Sequence, residues 1–243
     1  MTGTLVIIPC KYSDDKMIYD CVDSVRKFVA ADILVVDSCS MDKSYATDIN
    51  AEVAFIDNLN YDLGAYLSAY RLHPNYDSYI CIHDSFMFRS PFTVKPRGFT
   101  PFRTFQTFSG VGGGKIITGR KNALKFIFSK RTERKKFDCF GFDNQGQLDF
   151  YKKVLEKTEI DKKHFWTAVF GPIFTADRES MSLINACLSV ELLPKNKNEQ
   201  MAYERILGLL SESRLNCNQP YWGDHFLCPL SDARFEKKIL NRK

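Results

Sequence analysis

Long apolar runs are missing from this chain. Its longest, such as TLVII from Thr4 to Ile8 and ILVV from Ile33 to Val36, fall far short of the roughly 18 residues that a membrane-crossing helix needs. The first residues pass from Met1 straight to Leu5 to Ile8 and then Pro9, with no basic segment and no small-residue cleavage site, so no secretory signal is predicted and a cytoplasmic location is expected. Paired cysteine motifs are missing too. The eight cysteines (Cys10, Cys21, Cys39, Cys81, Cys139, Cys187, Cys217 and Cys228) form no CxxC pair, which argues against a zinc module and a disulfide framework. Several stand inside apolar runs, where cysteine behaves as a small hydrophobe.

Charge of one sign is also scarce. A net charge of +5 on 243 residues gives no strong field for a polyanion. The one dense basic run, KRTERKK from Lys130 to Lys136, lacks the interleaved aromatics that stack nucleobases and reads as a solvated loop. No nucleic-acid partner is expected; a small anionic ligand fits the same charge. Gly and Pro are few, 13 and 9 residues, while 44% of the chain is hydrophobic and 26% charged. That balance excludes extended disorder and collagen-like repeats and leaves a globular protein with a sizeable core. With no repeat, low-complexity tract or linker, a single domain over residues 1–243 is expected.

What is present is an alternation. Short apolar runs at Thr4 to Ile8, Asp32 to Asp37, Glu52 to Asp57 and Tyr79 to His83 read as strands. Between them, Met17, Ile18, Cys21, Val22, Val25, Phe28 and Val29 recur at helical spacing, and Leu63 to Leu72 gives a second helical pattern. Doubly buried strands separated by helices predict an α/β fold: a Rossmann-like domain whose mostly parallel central sheet is flanked by helices. Beyond Phe88, Pro91, Pro96, Gly98, Pro101 and the GVGGG of Gly110 to Gly114 punctuate a Phe-rich stretch that reads as loops and short strands. Helices are predicted over Gln147 to Lys157, Glu179 to Val190 and Glu199 to Ser213, with a strand over Thr167 to Thr175.

In such a sheet, ligands bind where strands end at their carboxyl side. The residues there are Pro9, Cys10, Lys11 and Tyr12 after the first run, Asp37 and Ser38 after the second, Asp57 after the third, and His83, Asp84 and Ser85 around the end of the fourth. An Asp at a strand end equally well caps the next helix or closes a turn.

The segments VIIPCKYSDD, ILVVDSCSMDKS, NYDLGAYLSAYR and YICIHDSFMF, in that order, resemble the nucleotide-sugar-binding half of glycosyltransferases with the A-type fold. The likeness covers about Leu5 to Pro91, leaving residues 92–243 as an acceptor half. It is greatest to a branch in which the usual Asp-x-Asp is replaced by His or Asn followed by Asp-Ser, used in capsule, rhamnan and large-virus capsid glycan synthesis. The resemblance implies a UDP-sugar donor, a glycan or glycoprotein acceptor and a Mn²⁺ or Mg²⁺ cofactor. It assigns Asp37 to the uracil imide, the turn from Pro9 to Tyr12 to the other wall of the base pocket, Asp62 to the sugar or diphosphate and Gly64 to the close passage of the chain by the nucleotide, and it counts Ser38 and His83 among the nucleotide-binding residues. Asp84 becomes the metal carboxylate, although the second Asp of the commoner pattern is absent, and His225 in YWGDHF a further metal ligand.

FGPIFTADRES (Phe170 to Ser180) and NEQMAYERILG (Asn198 to Gly208) resemble the acceptor side. An inverting reaction needs a carboxylate to deprotonate the acceptor hydroxyl. Glu204 is the first candidate and Asp177 the second. At 100° per residue the apolar face of that helix centres on Ala202, Ile206 and Leu210, which places Glu204, Gly208 and Ser211 on the polar side.

Lys11 reads equally as a surface charge, and Asp62 equally as a helix N-cap. A Rossmann-like phosphatase would also place an Asp where Asp37 stands, but it needs a second acid two residues on, where this chain has Cys39. A glycosyltransferase-like binding module that has lost turnover is the non-enzyme alternative.

Overall fold

The computed structural model describes residues 3–11, 16–57, 60–95, 97–111, 139–225, 229 and 231–237. The basic run from Lys130 to Lys136 and most of the GVGGG segment lie outside them.

Strands β1 (Thr4–Cys10), β2 (Asp32–Ser38), β3 (Glu52–Ile56) and β4 (Ser78–Cys81) lie parallel in the order β3-β2-β1-β4. Helices α1 (Met17–Phe28) and α2 (Tyr61–Leu72) make two of the connections. The runs look continuously apolar because successive residues feed two separate cores. Leu5, Ile7, Leu34, Val36, Tyr79 and Cys81 pack on the α2 side, while Val6, Ile8, Ile33, Val35, Ile80 and Ile82 pack on the α1 side. A period-2 strand buried on both faces produces this pattern.

The chain then runs through β5 (Phe86–Phe88), β6 (Phe99–Pro101), β7 (Arg103–Val111), β8 (Cys139–Phe142) and α3 (Gln145–Thr158). It continues through β9 (Phe165–Val169), β10 (Phe174–Asp177), α4 (Arg178–Cys187) and α5 (Lys197–Arg214) to the short strands β11 (Gly223–Asp224) and β12 (Phe235–Lys237). Strand β10 joins the central sheet antiparallel to β4, and β6 lies antiparallel to β10, completing six strands. The sheet is therefore mostly parallel, as expected. Strand β7 carries β8, β9 and β11 in a second sheet, and β12 pairs with β5.

The sequence reading differs in four places, one of them the helix expected over Glu179 to Val190, which ends at Cys187 and is followed by a separate short turn at Val190–Leu192. The expected strand over Thr167 to Thr175 is two strands in two sheets. Gly171 takes a left-handed φ of 59° and Pro172 offers no N–H, so the ladder cannot run through them. Helix α2 begins before Leu63, with Asn60 at its N-cap position, and Asp62 lies inside the first turn instead of capping it. The supposed polar side of α5 is also buried: Gly208 rests on the β9 backbone so closely that a Cβ would come 2.6 Å from the Ala168 Cα, and Ser211 is 2% exposed.

Candidate active site

Strand β1 pairs with β2 on one side and β4 on the other. The strand order reverses at this point, which opens a crevice at the carboxyl edge. Pro9 and Cys10 end β1 as buried residues and Lys11 is exposed beyond them; Tyr12 lies outside the described residues. Ser38 closes β2, half-buried.

Asp37 is not available to a ligand. It is 0% exposed, its Oδ1 accepts the Ser40 N–H at 2.9 Å, and its Oδ2 accepts the Tyr45 hydroxyl at 2.6 Å. The DSCSMDKSY turn after β2 folds back over its own strand and encloses the carboxylate. Burial, and then the bond to Asp37, drive the Tyr45 hydroxyl far above its ordinary pKa, so it remains a donor. The expected uracil contact is thus a buried structural carboxylate in this conformation.

Two further candidates, Asp62 and His83, lie side by side at this edge. Asp62 projects from the first turn of α2 and meets His83, just past β4, with Nε2 to Oδ2 at 3.1 Å. Both side chains stay partly exposed, 32% for Asp62 and 17% for His83. Gly64 is buried in the same turn and donates its N–H to Asn60 O. The carbonyl of His83 accepts the Phe86 N–H at 3.0 Å, so His83, Asp84, Ser85 and Phe86 form a tight turn with half-buried Asp84 at its tip.

The second half of the chain supplies the opposite wall. Cys81 pairs with Phe174, and Phe174 with Pro101, so the turn from Phe170 to Ile173 abuts the end of β4. Glu204, on α5, accepts the Gly171 N–H at 3.0 Å. Arg103 is 2% exposed and donates to the His225 carbonyl at 2.9 Å, with its guanidinium 4.7 Å from the Trp222 ring centre. His225 stacks on Phe170 with ring centres 3.3 Å apart, and its N–H donates to Thr104 O. The edge thus gathers Asp62, His83, Asp84 and Glu204, with His225 anchored on the second sheet beside Phe170.

Asp177 does not join them. It pairs with Ser78 at the amino end of β4, the far side of the sheet. Its carboxylate accepts the Gly98 N–H at 2.6 Å and the Ser180 N–H at 2.8 Å, capping α4. Burial pushes its pKa up, but the hydrogen bonds from Ser180 and Gly98 outweigh that and leave it below the ordinary value. Its role is to close a helix.

Sequence reasoning passed over Gln200, whose Nε2 donates to Asp62 Oδ2 at 3.0 Å. The available signal was its spacing: Gln200 and Glu204 lie four apart on one helix and therefore on one face. A cavity of about 750 Å³ opens beside the N-terminus of α2, lined by Asn60, Ser189, Val190, Glu191 and Lys195; its size is that of a small-molecule site.

Among the described residues, no three His, Cys, Asp or Glu side chains come together as a metal cage. Asp84 is a single carboxylate, an oxygen donor of the kind that hard divalent ions accept. Among the described residues, no helix is long and apolar enough to cross a membrane.

No protein-family model matches the chain, and no curated protein does. Among solved structures, it is similar to S. aureus TarS residues 1–349 at 12% identity and a TM-score of 0.45, over 97% of this chain and 60% of that one. It is similar to a CMP:2-keto-3-deoxy-manno-octonic acid synthetase complexed with CTP at 9% identity and a TM-score of 0.43, over 89% and 88% of the two chains. A third is a putative glucose-1-phosphate thymidylyltransferase from Bacillus anthracis, at 11% identity and a TM-score of 0.39 over 90% and 87%. This chain spans 60% of the length of the TarS fragment. At these identities and scores no activity is carried over, and the α/β assignment rests on the sheet described above.

Proposed function

We propose that the protein is a nucleotide-sugar-dependent glycosyltransferase, moving a hexose or deoxyhexose from a nucleoside diphosphate sugar, first among them a UDP-sugar, to a hydroxyl of a glycan. The observation that carries this reading is the placement of Asp62, His83 and Asp84 at the carboxyl edge where the strand order reverses, faced by the Gly171 turn that Glu204 holds. The motif resemblance of the first ninety or so residues agrees with it.

In this reading the Asp62 and His83 pair contacts donor hydroxyls or phosphate oxygens from the floor of the crevice. Glu204, oriented by the Gly171 N–H, takes the proton of the acceptor hydroxyl as that oxygen bonds to the anomeric carbon and the bond to the diphosphate breaks. Asp84, with His225 as a second proposed ligand, would hold Mn²⁺ or Mg²⁺, which neutralises the charge on a departing diphosphate when bound.

A module that binds nucleotide or glycan without turnover is the second reading, favoured by the missing second Asp, since Ser85 and Phe86 follow Asp84. One experiment separates the two. The protein is incubated with a panel of nucleotide sugars with Mn²⁺, with Mg²⁺ and with chelator; released nucleoside diphosphate is measured, and binding is followed by calorimetry. Metal-dependent release from one donor is expected. Binding without release would establish the module, and neither binding nor release across the panel would overturn both readings.

A further inference from the structure

Asp62 Oδ2 accepts the Gln200 Nε2–H at 3.0 Å, from a helix 138 residues away in sequence, and His83 Nε2 lies 3.1 Å from the same oxygen. Gln200 is 4% exposed, and its Oε1 is buried with no hydrogen-bond partner among the described residues. The alternative amide orientation would turn Oε1 against the carboxylate, so the bond to Asp62 determines which way the amide points. The fully buried hydroxyl of Tyr66, one turn after Asp62 on α2, also has no hydrogen-bond partner among the described residues.

A buried amide with its carbonyl unmatched weakens a fold, and an apolar side chain of similar volume would fill the space at lower cost. A glutamine here is therefore unfavourable for packing and is explained by what it does to Asp62. Four residues further along the same helix, Glu204 holds the turn at Gly171. One face of α5 thus grips Asp62 at one point and the opposite wall of the crevice one helical turn away.

We infer that Gln200 is a positioning residue: it holds Asp62 in the orientation that receives the donor, and ties that carboxylate to the helix that carries Glu204. The inference rests on the glycosyltransferase reading and deepens it. Gln200 need not touch substrate; it acts through Asp62.

The test is Gln200→Met, close in volume and without the amide, with Gln200→Glu as a second variant that sets a carboxylate against Asp62. Melting temperature and the separate KM values for donor and acceptor are measured for all three proteins. Gln200→Met is expected to melt at or above the wild-type temperature, to raise donor KM about tenfold and to leave acceptor KM unchanged. Gln200→Glu is expected to raise donor KM further, through like-charge repulsion. Unchanged donor KM in both variants would overturn the inference while the function stood. A lowered melting temperature with wild-type KM in the folded fraction would also overturn it, leaving Gln200 as packing. A wild-type protein that releases nucleoside diphosphate from no donor would overturn the function, and the inference with it.

Discussion

Tyr45 decides what Asp37 can do. A carboxylate with no exposed surface needs its partners; the Tyr45 hydroxyl donates to one of its oxygens and the Ser40 N–H to the other. Tyr45→Phe should leave one carboxylate oxygen buried without its donor, a loss of about 1.5 to 3 kcal/mol for a hydrogen bond to a charged group. In a chain of this size that lowers the melting temperature by several degrees. Calorimetric melting checks it, and an unchanged transition would show that Asp37 does not depend on this bond. Asp84 is the contrasting case, because it stands half-exposed at the tip of its turn. Asp84→Asn keeps the shape and removes the charge, so the melting temperature should hold while the Mn²⁺ dependence of nucleoside diphosphate release is lost. An unaltered metal response would remove Asp84 from the metal site. Both residues follow an apolar run in the sequence, and nothing in either run distinguishes a carboxylate folded under its own turn from one facing a crevice.

The secondary-structure elements were legible to the extent that their burial is periodic. The first four strands and α1 and α2 emerged from alternation and helical spacing because each strand feeds two cores and each of these helices has a core-facing side. Helix α5 was misread because it is buried on nearly every side, which leaves no contrast for a periodic reading to find. Its contact with β9 makes a specific demand at Gly208, where a Cβ would collide with the Thr167 carbonyl. Gly208→Ala should force the helix away from the strand and destabilise the protein by about 1 to 3 kcal/mol, measured as a shift of the denaturant midpoint; a neutral result would mean the helix rides further out.

At α4 the capping Asp177 gives a pH signature. Its folded pKa lies below its ordinary value, so its stabilisation is present above the ordinary Asp pKa of about 3.9 and is lost as pH falls through the lower folded value. Asp177→Ala should be less stable than the wild type near neutral pH by about 1 kcal/mol, the usual worth of a cap. That gap should narrow in acid. Melting curves at pH 7 and pH 3 test the sign, and a gap that widened in acid would refute the assignment.

For the molecule as a whole, the route of the chain assembles the site. Strand β10 returns antiparallel to β4, which brings the turn at Gly171 to the carboxyl edge and carries Asp177 to the opposite one. Among the described cysteines, Cys10, Cys21 and Cys81 are buried, Cys187 is half-buried, and Cys39 and Cys217 are exposed; none of the six is in a disulfide. Burial alone pushes the Cys81 thiol well above its ordinary value, and it is the main cause for Cys21 as well. The sequence by itself determined the fold class and the parallel first four strands, with their ends to within two residues, because hydrophobic periodicity is a local property that each segment carries within itself. Only the tertiary structure decided that Asp37 is enclosed, that Asp177 caps a helix on the far edge, and that Gln200 and Glu204 reach across to the crevice. Those outcomes depend on which segments become neighbours, and proximity between residues 138 positions apart is set by the packing of the whole chain.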